Sequence, residues 1–147
     1  MDDENKILED MQAILREKAR EIYPEKIFDY GTNPENYGAL DNPDGYAEKS
    51  DECGRDIKMF LRVRHGKVEE SRFTAHGCIF TVAACNAAAE MSKGRTIREC
   101  LRINRSSISE HLGGLPHDHS HCALTAALLF QKALRSSIVK RKEQEEG

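Results

Sequence analysis

Residues 56–94 read DIKMFLRVRHGKVEESRFTAHGCIFTVAACNAAAEMSKG, and this stretch decides the fold. In its first nine residues Ile57, Met59, Leu61 and Val63 fall on one side and mostly charged residues on the other, the period of a strand with one buried face. His65-Gly66 suits a tight hairpin turn, because glycine takes a positive φ at no steric cost. Lys67 to Thr74 then returns as the partner strand. Val68 and Phe73 are an odd number of residues apart, so burying both requires a bulge or two-sided cover. After Gly77 the period-two pattern stops. Cys78 to Met91 is rich in alanine and free of Gly and Pro, which predicts a packed helix ending at Lys93-Gly94.

Working outward, apolar residues at Ile7, Leu8, Met11, Ile14, Leu15 and Ala19 predict an amphipathic N-terminal helix over about residues 4–22. Asn33 to Asp51 carries Pro34 and Pro43, each after an asparagine, together with Gly38 and Gly45, and reads as an ordered loop or extended arm leading into Cys53. Downstream, Thr96 with Glu99 forms a capping-box pattern for a short helix, and a second short helix starts near Ser106 or Ser107 and stops at Gly113-Gly114. The last helix is expected from about His119 to Lys140, with Ala123, Ala126, Ala127, Leu128, Phe130, Leu134 and Ile138 as its apolar stripe. Residues 141–147 are expected to form a flexible polar tail.

At 147 residues and 39% hydrophobic content the chain suits one domain, residues 1–147. No unbroken apolar run approaches the roughly 18–20 residues of a membrane span, and the acidic first residues do not resemble a signal peptide, so a cytoplasmic protein without a membrane partner is expected. With 22 basic and 25 acidic residues intermixed and a net charge of −3, there is no electrostatic footprint for nucleic acid.

Five cysteines in a chain without an export signal read as core residues, metal ligands or nucleophiles rather than a disulfide framework. Three fall where the chain changes direction: Cys53 before the first hairpin strand, Cys78 between hairpin and helix, and Cys122 in the first turn of the last helix, beside His121. Helix starts favour the thiolate that binds metal or attacks sulfur. Thiolates with an imidazole select zinc or an iron–sulfur cluster over magnesium or calcium. Small buried hydrophobes are the competing reading for the same residues. Cys85, two helical turns and about 10 Å from Cys78, is too far to share a metal and reads as core, as does Cys100. His117 and His119 are either spare ligands or solvated loop residues, and His76 is open between ligand and surface. His65 reads as a turn residue and His111 as a surface helix residue.

The string from Tyr23 through Asn33-Pro34-Glu35-Asn36-Tyr37-Gly38 resembles the opening of the U-type iron–sulfur scaffold family, IscU and the N-terminal domain of NifU. Cys53-Gly54, Arg72-Phe73 through Gly77-Cys78, Glu90 through Lys93-Gly94-Arg95-Thr96, and Leu115-Pro116 through His121-Cys122 follow the same family in order, so the likeness runs from Tyr23 to Lys140. It implies an α+β fold, a small three-stranded antiparallel sheet packed against several helices with a long C-terminal helix. Its third strand would fall in the proline-containing arm.

The resemblance further implies a scaffold, not an enzyme, that builds an iron–sulfur cluster, [2Fe–2S] in the family, on Cys53, Cys78 and Cys122. His121 is the family's nearby histidine and Asp56 a weaker metal ligand. Sulfur would come from a cysteine desulfurase and the cluster would go to acceptor apoproteins, with a homodimer around the cluster left open. Two other readings accompany it: a Zn2+-bound persulfide acceptor, and a degenerate paralogue acting as an interaction module.

The chain departs from the pattern in three places. Arg55 stands where the family has the aspartate of Cys-Gly-Asp, and Asp56 can serve only if the chain bulges, since a one-residue shift turns a strand side chain to the other face. Ile79-Phe80 replaces the small residues after the second cysteine. Leu115-Pro116-His117-Asp118-His119 replaces the Leu-Pro-Pro-Val-Lys read by a dedicated Hsp70-type chaperone, which argues against that partner. The zinc-dependent relatives carry an insertion between the second and third cysteines that is absent here.

Overall fold

A computed structural model describes residues 5–14, 24–50 and 56–146, with side chains to Arg141. Residues 5–14 form helix α1, and its stripe of Ile7, Leu8, Met11 and Ile14 is 52–58% exposed. Leu15 and Ala19, the rest of the expected stripe, lie outside the described residues. Helix α2 spans Glu25–Thr32, strands β1, β2 and β3 span Gly45–Ser50, Asp56–Arg64 and Lys67–Ala75, and α3 spans Ile79–Ser92. The short α4 (Ile97–Cys100) and α5 (Arg105–His111) follow, then a 3₁₀ turn at His117–His119 and the long α6, Ser120–Glu146. The fold is α+β.

The three strands form one antiparallel sheet in the order β1-β2-β3. His65 (φ 54°) and Gly66 (φ 75°) both take positive φ, the turn geometry whose twist matches a hairpin. Arg62 faces Glu70 while Val63 faces Val68, so Glu69 is an extra residue in β3. That bulge is the physical answer to the odd spacing: it brings Val68 and Phe73 to the same buried side. The third strand, β1, emerges from the arm as the resemblance implies.

Met59, Leu61, Val68 and Phe73 are fully buried beneath the helices, along with Ala83, Ala84, Ala87 and Ala88 of α3 and Ala126, Phe130 and Leu134 of α6. Alanine-rich faces let α3 and α6 approach the sheet and each other closely. Gly31 makes a similar approach possible at the start of α3, where a Cβ would meet the Ile79 backbone oxygen at 2.7 Å. The segment 117–141 is long and apolar enough to cross a membrane by composition, but half of its most apolar window is buried as the core helix of this domain. It also runs past the expected end at Lys140, its backbone remaining helical to Glu146.

The outer edge of β3 is covered at both ends. The Phe73 N–H donates to the Asn36 carbonyl (3.1 Å) and the Gly38 N–H to the Phe73 carbonyl (2.8 Å). At the other end Val68 donates to Arg95 (2.9 Å) and Gly94 to Val68 (2.7 Å). On β1, the Ser136 hydroxyl accepts from the Tyr46 N–H (2.8 Å) and lies 3.0 Å from the Tyr46 carbonyl.

Both predicted short helices form. Thr96 and Glu99 make the capping box reciprocally. The second is capped two to three residues earlier than the serines suggest, by Asn104, whose Oδ1 accepts from the Ser107 N–H (2.9 Å). His111 is a half-buried bridge rather than a plain surface residue: its Nε2 lies 3.1 Å from the Tyr30 hydroxyl, tying α5 to α2, and burial lowers its pKa.

Candidate metal centre

Two chain junctions meet at one corner. Cys78 immediately precedes α3 with extended backbone (φ −72°, ψ 165°), so its thiol stands over the unpaired N–H groups of the first turn. Cys122 lies in the first turn of α6, and His119, three residues earlier in the 3₁₀ turn, occupies the same side, because residues three apart on a helical path are neighbours. The ligating atoms of Cys78, His119 and Cys122 all lie within 4.8 Å of one another. A tetrahedral ion with bonds of about 2.3 Å to sulfur and about 2.0 Å to nitrogen spaces its ligands roughly 3.5–3.8 Å apart, so small side-chain rotations close the site.

Thr81, one turn into α3, sits between the sulfurs: its hydroxyl lies 3.4 Å from Cys78 Sγ and donates to Cys122 Sγ at 3.5 Å. Phe80, 7% exposed, stacks face to face on the His119 ring, with centroids 3.8 Å apart and planes 14° from parallel. His121 is exposed; its Nε2 lies 3.7 Å from Cys122 Sγ, and it does not come within 4.8 Å of both sulfurs.

The two thiols differ. Cys78 is exposed and Cys122 is 2% exposed. Partial burial alone would raise the Cys78 pKa, but the Thr81 hydroxyl shared between the two sulfurs, the N–H groups of the first helical turn and the Cys122 thiol outweigh it and lower the pKa. Cys122 is pushed the other way by burial, only partly offset by Thr81. Of the two, Cys78 therefore gives up its proton the more readily.

The remaining sequence candidates fall elsewhere. Cys53 and Arg55 lie outside the described residues. Asp56 opens β2, where its carboxylate accepts a hydrogen bond from Ser50 Oγ (2.6 Å), and it does not join the group of three. His76 and His117 are exposed and likewise outside it. Cys85 and Cys100 are fully buried core residues, as expected. Burial drives the Cys85 thiol up to about 12 and the Cys100 thiol up to about 11. Thr81 was missed by the sequence reading, although its spacing of three from Cys78 was the signal that could have found it.

Residues 22–144 match the model of the NifU-like N-terminal domain. The chain belongs to that family. This NifU-like chain is 37% identical over 119 residues to the iron–sulfur cluster assembly scaffold protein IscU 1 of Archaeoglobus fulgidus, covering 80% of this chain and 75% of that protein. It is 30% identical over 130 residues to the Escherichia coli iron–sulfur cluster assembly scaffold protein IscU, covering 85% and 98%. A crystal structure of a Fervidobacterium islandicum protein, assigned to iron–sulfur cluster assembly in the SUF system, shares the fold with a TM-score of 0.62 at 21% identity, covering 79% of this chain and 98% of that one.

The thiol asymmetry of this NifU-like site has a direct chemical readout. Because the thiolate is the nucleophile, limiting iodoacetamide at pH 7 is expected to alkylate Cys78 well before Cys122, and to leave Cys85 unmodified until the chain unfolds. The Cys78 rate should fall off at lower pH than that of an ordinary thiol, since its pKa is lowered. Peptide mass spectrometry over a pH series checks both; equal labelling of Cys78 and Cys122 would contradict the asymmetry.

Proposed function

We propose that this NifU-like domain is an iron–sulfur scaffold: it assembles a cluster, a [2Fe–2S] unit, on Cys53, Cys78, Cys122 and one imidazole of the His117–His121 segment, and passes it to acceptor apoproteins. The observation that carries the reading is the meeting of two sulfurs and an imidazole from segments about forty residues apart, at a corner where one sulfur is exposed. Scaffold relatives at 30% and 37% identity support it. The ligand set is soft enough to hold iron with sulfide and too soft for magnesium or calcium.

The chemistry follows from the unequal thiols. A Cys78 thiolate attacks the outer sulfur of a persulfide on a cysteine desulfurase; a new S–S bond forms on Cys78, the old one breaks, and the desulfurase cysteine leaves as a thiolate. Binding of iron releases the thiol protons, so loading weakens as pH falls. Release is ligand exchange, in which an acceptor thiolate displaces a scaffold thiolate. Exposure at Cys78 gives that exchange a point of entry.

Anaerobic reconstitution with ferrous iron, a cysteine desulfurase, cysteine and excess thiol reductant, which supplies the electrons that turn the outer persulfide sulfur into sulfide, tests the reading. Near-equal iron and acid-labile sulfide with visible charge-transfer absorption is expected. Stoichiometric zinc without sulfide would replace the scaffold by the zinc-bound sulfur acceptor, and absence of any metal would leave an interaction module.

A further inference from the structure

We propose that His119, and not His121, supplies the nitrogen ligand of this site, and that Phe80 is the residue that positions it; the proposal rests on the scaffold reading above. The ligating nitrogen of His119 lies with both sulfurs inside a 4.8 Å group, while His121 does not complete such a group. Helical geometry explains the difference. His119 and Cys122 are three apart and share a side, whereas His121 and Cys122 are adjacent and diverge by about 100°, so His121 is exposed and, although its Nε2 comes within 3.7 Å of Cys122 Sγ, it does not also join Cys78.

The stacked ring supplies the second, independent observation. Phe80 and His119 each depart from the U-type pattern, Phe80 in place of a small residue and His119 in place of the lysine of Leu-Pro-Pro-Val-Lys, and the two departures meet face to face at 3.8 Å. Phe80 comes from the first turn of α3, two residues after Cys78, so a single helix start carries both a sulfur ligand and the surface that fixes the imidazole plane. An imidazole held this way needs little reordering to coordinate, and it coordinates as the neutral ring, its proton on the nitrogen away from the metal. In the sequence, Arg55 also stands where the family has an aspartate, so a further nitrogen donor makes up for a ligand type that the motif Cys53-Gly54-Arg55 lacks.

The test titrates the full chain with Co2+, whose sulfur-to-cobalt charge-transfer band reports the thiolates, and then reconstitutes the cluster. H119A is expected to weaken Co2+ binding at least about tenfold, H121A to stay within about twofold, and F80L, which keeps the volume and removes the ring face, to lose about 2–10-fold. Thermal unfolding of the variants confirms that they fold. In the reduced cluster, pulsed electron paramagnetic resonance should show coupling to a directly bound imidazole nitrogen in wild type and H121A, absent in H119A. Coupling that survives in H119A and vanishes in H121A overturns the ligand assignment, and an F80L protein with wild-type affinity overturns the positioning role. A wild-type chain that takes up neither Co2+ nor iron with sulfide defeats the scaffold reading and this proposal together, whereas normal loading with an unaffected H119A defeats this proposal alone.

Discussion

Cys78→Ser and Cys122→Ser are each expected to abolish stable iron–sulfur loading, and Cys53→Ser to do the same, while Cys85→Ala and Cys100→Ala keep it. A serine hydroxyl stays protonated at neutral pH and is a hard oxygen donor, so each substitution removes a thiolate and leaves nothing that iron or sulfide prefers. Losing Cys122 also removes one partner of Thr81 and one neighbour of the Cys78 thiolate. Cys85 and Cys100 are fully buried and neither belongs to the group of three, Cys100 with its thiol directed at the Ser92 carbonyl (3.7 Å), so their removal takes no ligand from the site. Iron and sulfide per chain after anaerobic reconstitution decide the matter. Full loading of Cys122→Ser would remove the basis of the proposed function.

The second large effect is on stability. Asn86, in the middle of α3, accepts two hydrogen bonds on its Oδ1: from the Asn36 backbone N–H (3.1 Å) and from the Asn36 Nδ2 (3.0 Å). Both residues are 1% exposed. Asn86→Ala leaves two buried donors without an acceptor, at about 1–3 kcal/mol each, so a loss of about 2–4 kcal/mol is expected, seen as a melting temperature lower by roughly 6–15 °C. The Nδ2 keeps its bond to Glu90 (3.0 Å), which is why the loss stops short of a complete network failure. That same Asn36 contact is the main reason the Glu90 carboxyl sits below its ordinary value of 4.5, with Lys93 adding to it. A carboxyl depressed in the folded state stabilises above the unfolded value and loses that contribution as pH falls through the folded one. Asn86→Ala should therefore be measured by thermal unfolding near neutral pH, where Glu90 is ionised; a shift below about 2 °C would show that water satisfies Asn36.

Local rules carried much of the fold. Alternation at Ile57, Met59, Leu61 and Val63 placed β2, the pair His65-Gly66 placed the turn, and Thr96 with Glu99 placed the start of α4, because each is a contact between residues close in sequence. The bulge was legible as a need, from the odd spacing of Val68 and Phe73, but its location at Glu69 depends on cross-strand register. Asn104 competed with the serines for the cap of α5 and won through a reciprocal bond with Ser107 that no single-residue preference shows. At the site, Cys78 and Cys122 stood out by their positions at chain junctions. The choice between His119 and His121 did not, because it turns on which side of α6 faces α3, and the Phe80–His119 stack joins residues that only the packed helices bring together.

The way the sheet ends also limits how copies of this chain can associate. An open strand recruits others by offering a ladder of free amides and carbonyls, the route to continuous intermolecular sheets and fibres. Here the arm at Asn36–Gly38 and the turn at Gly94–Arg95 already occupy that ladder on one flank, and a single serine hydroxyl from α6 clips the start of the other. A second copy added along the β3 flank would have to displace those bonds, whereas one added through side-chain surfaces such as the corner holding Cys78 leaves the sheet undisturbed.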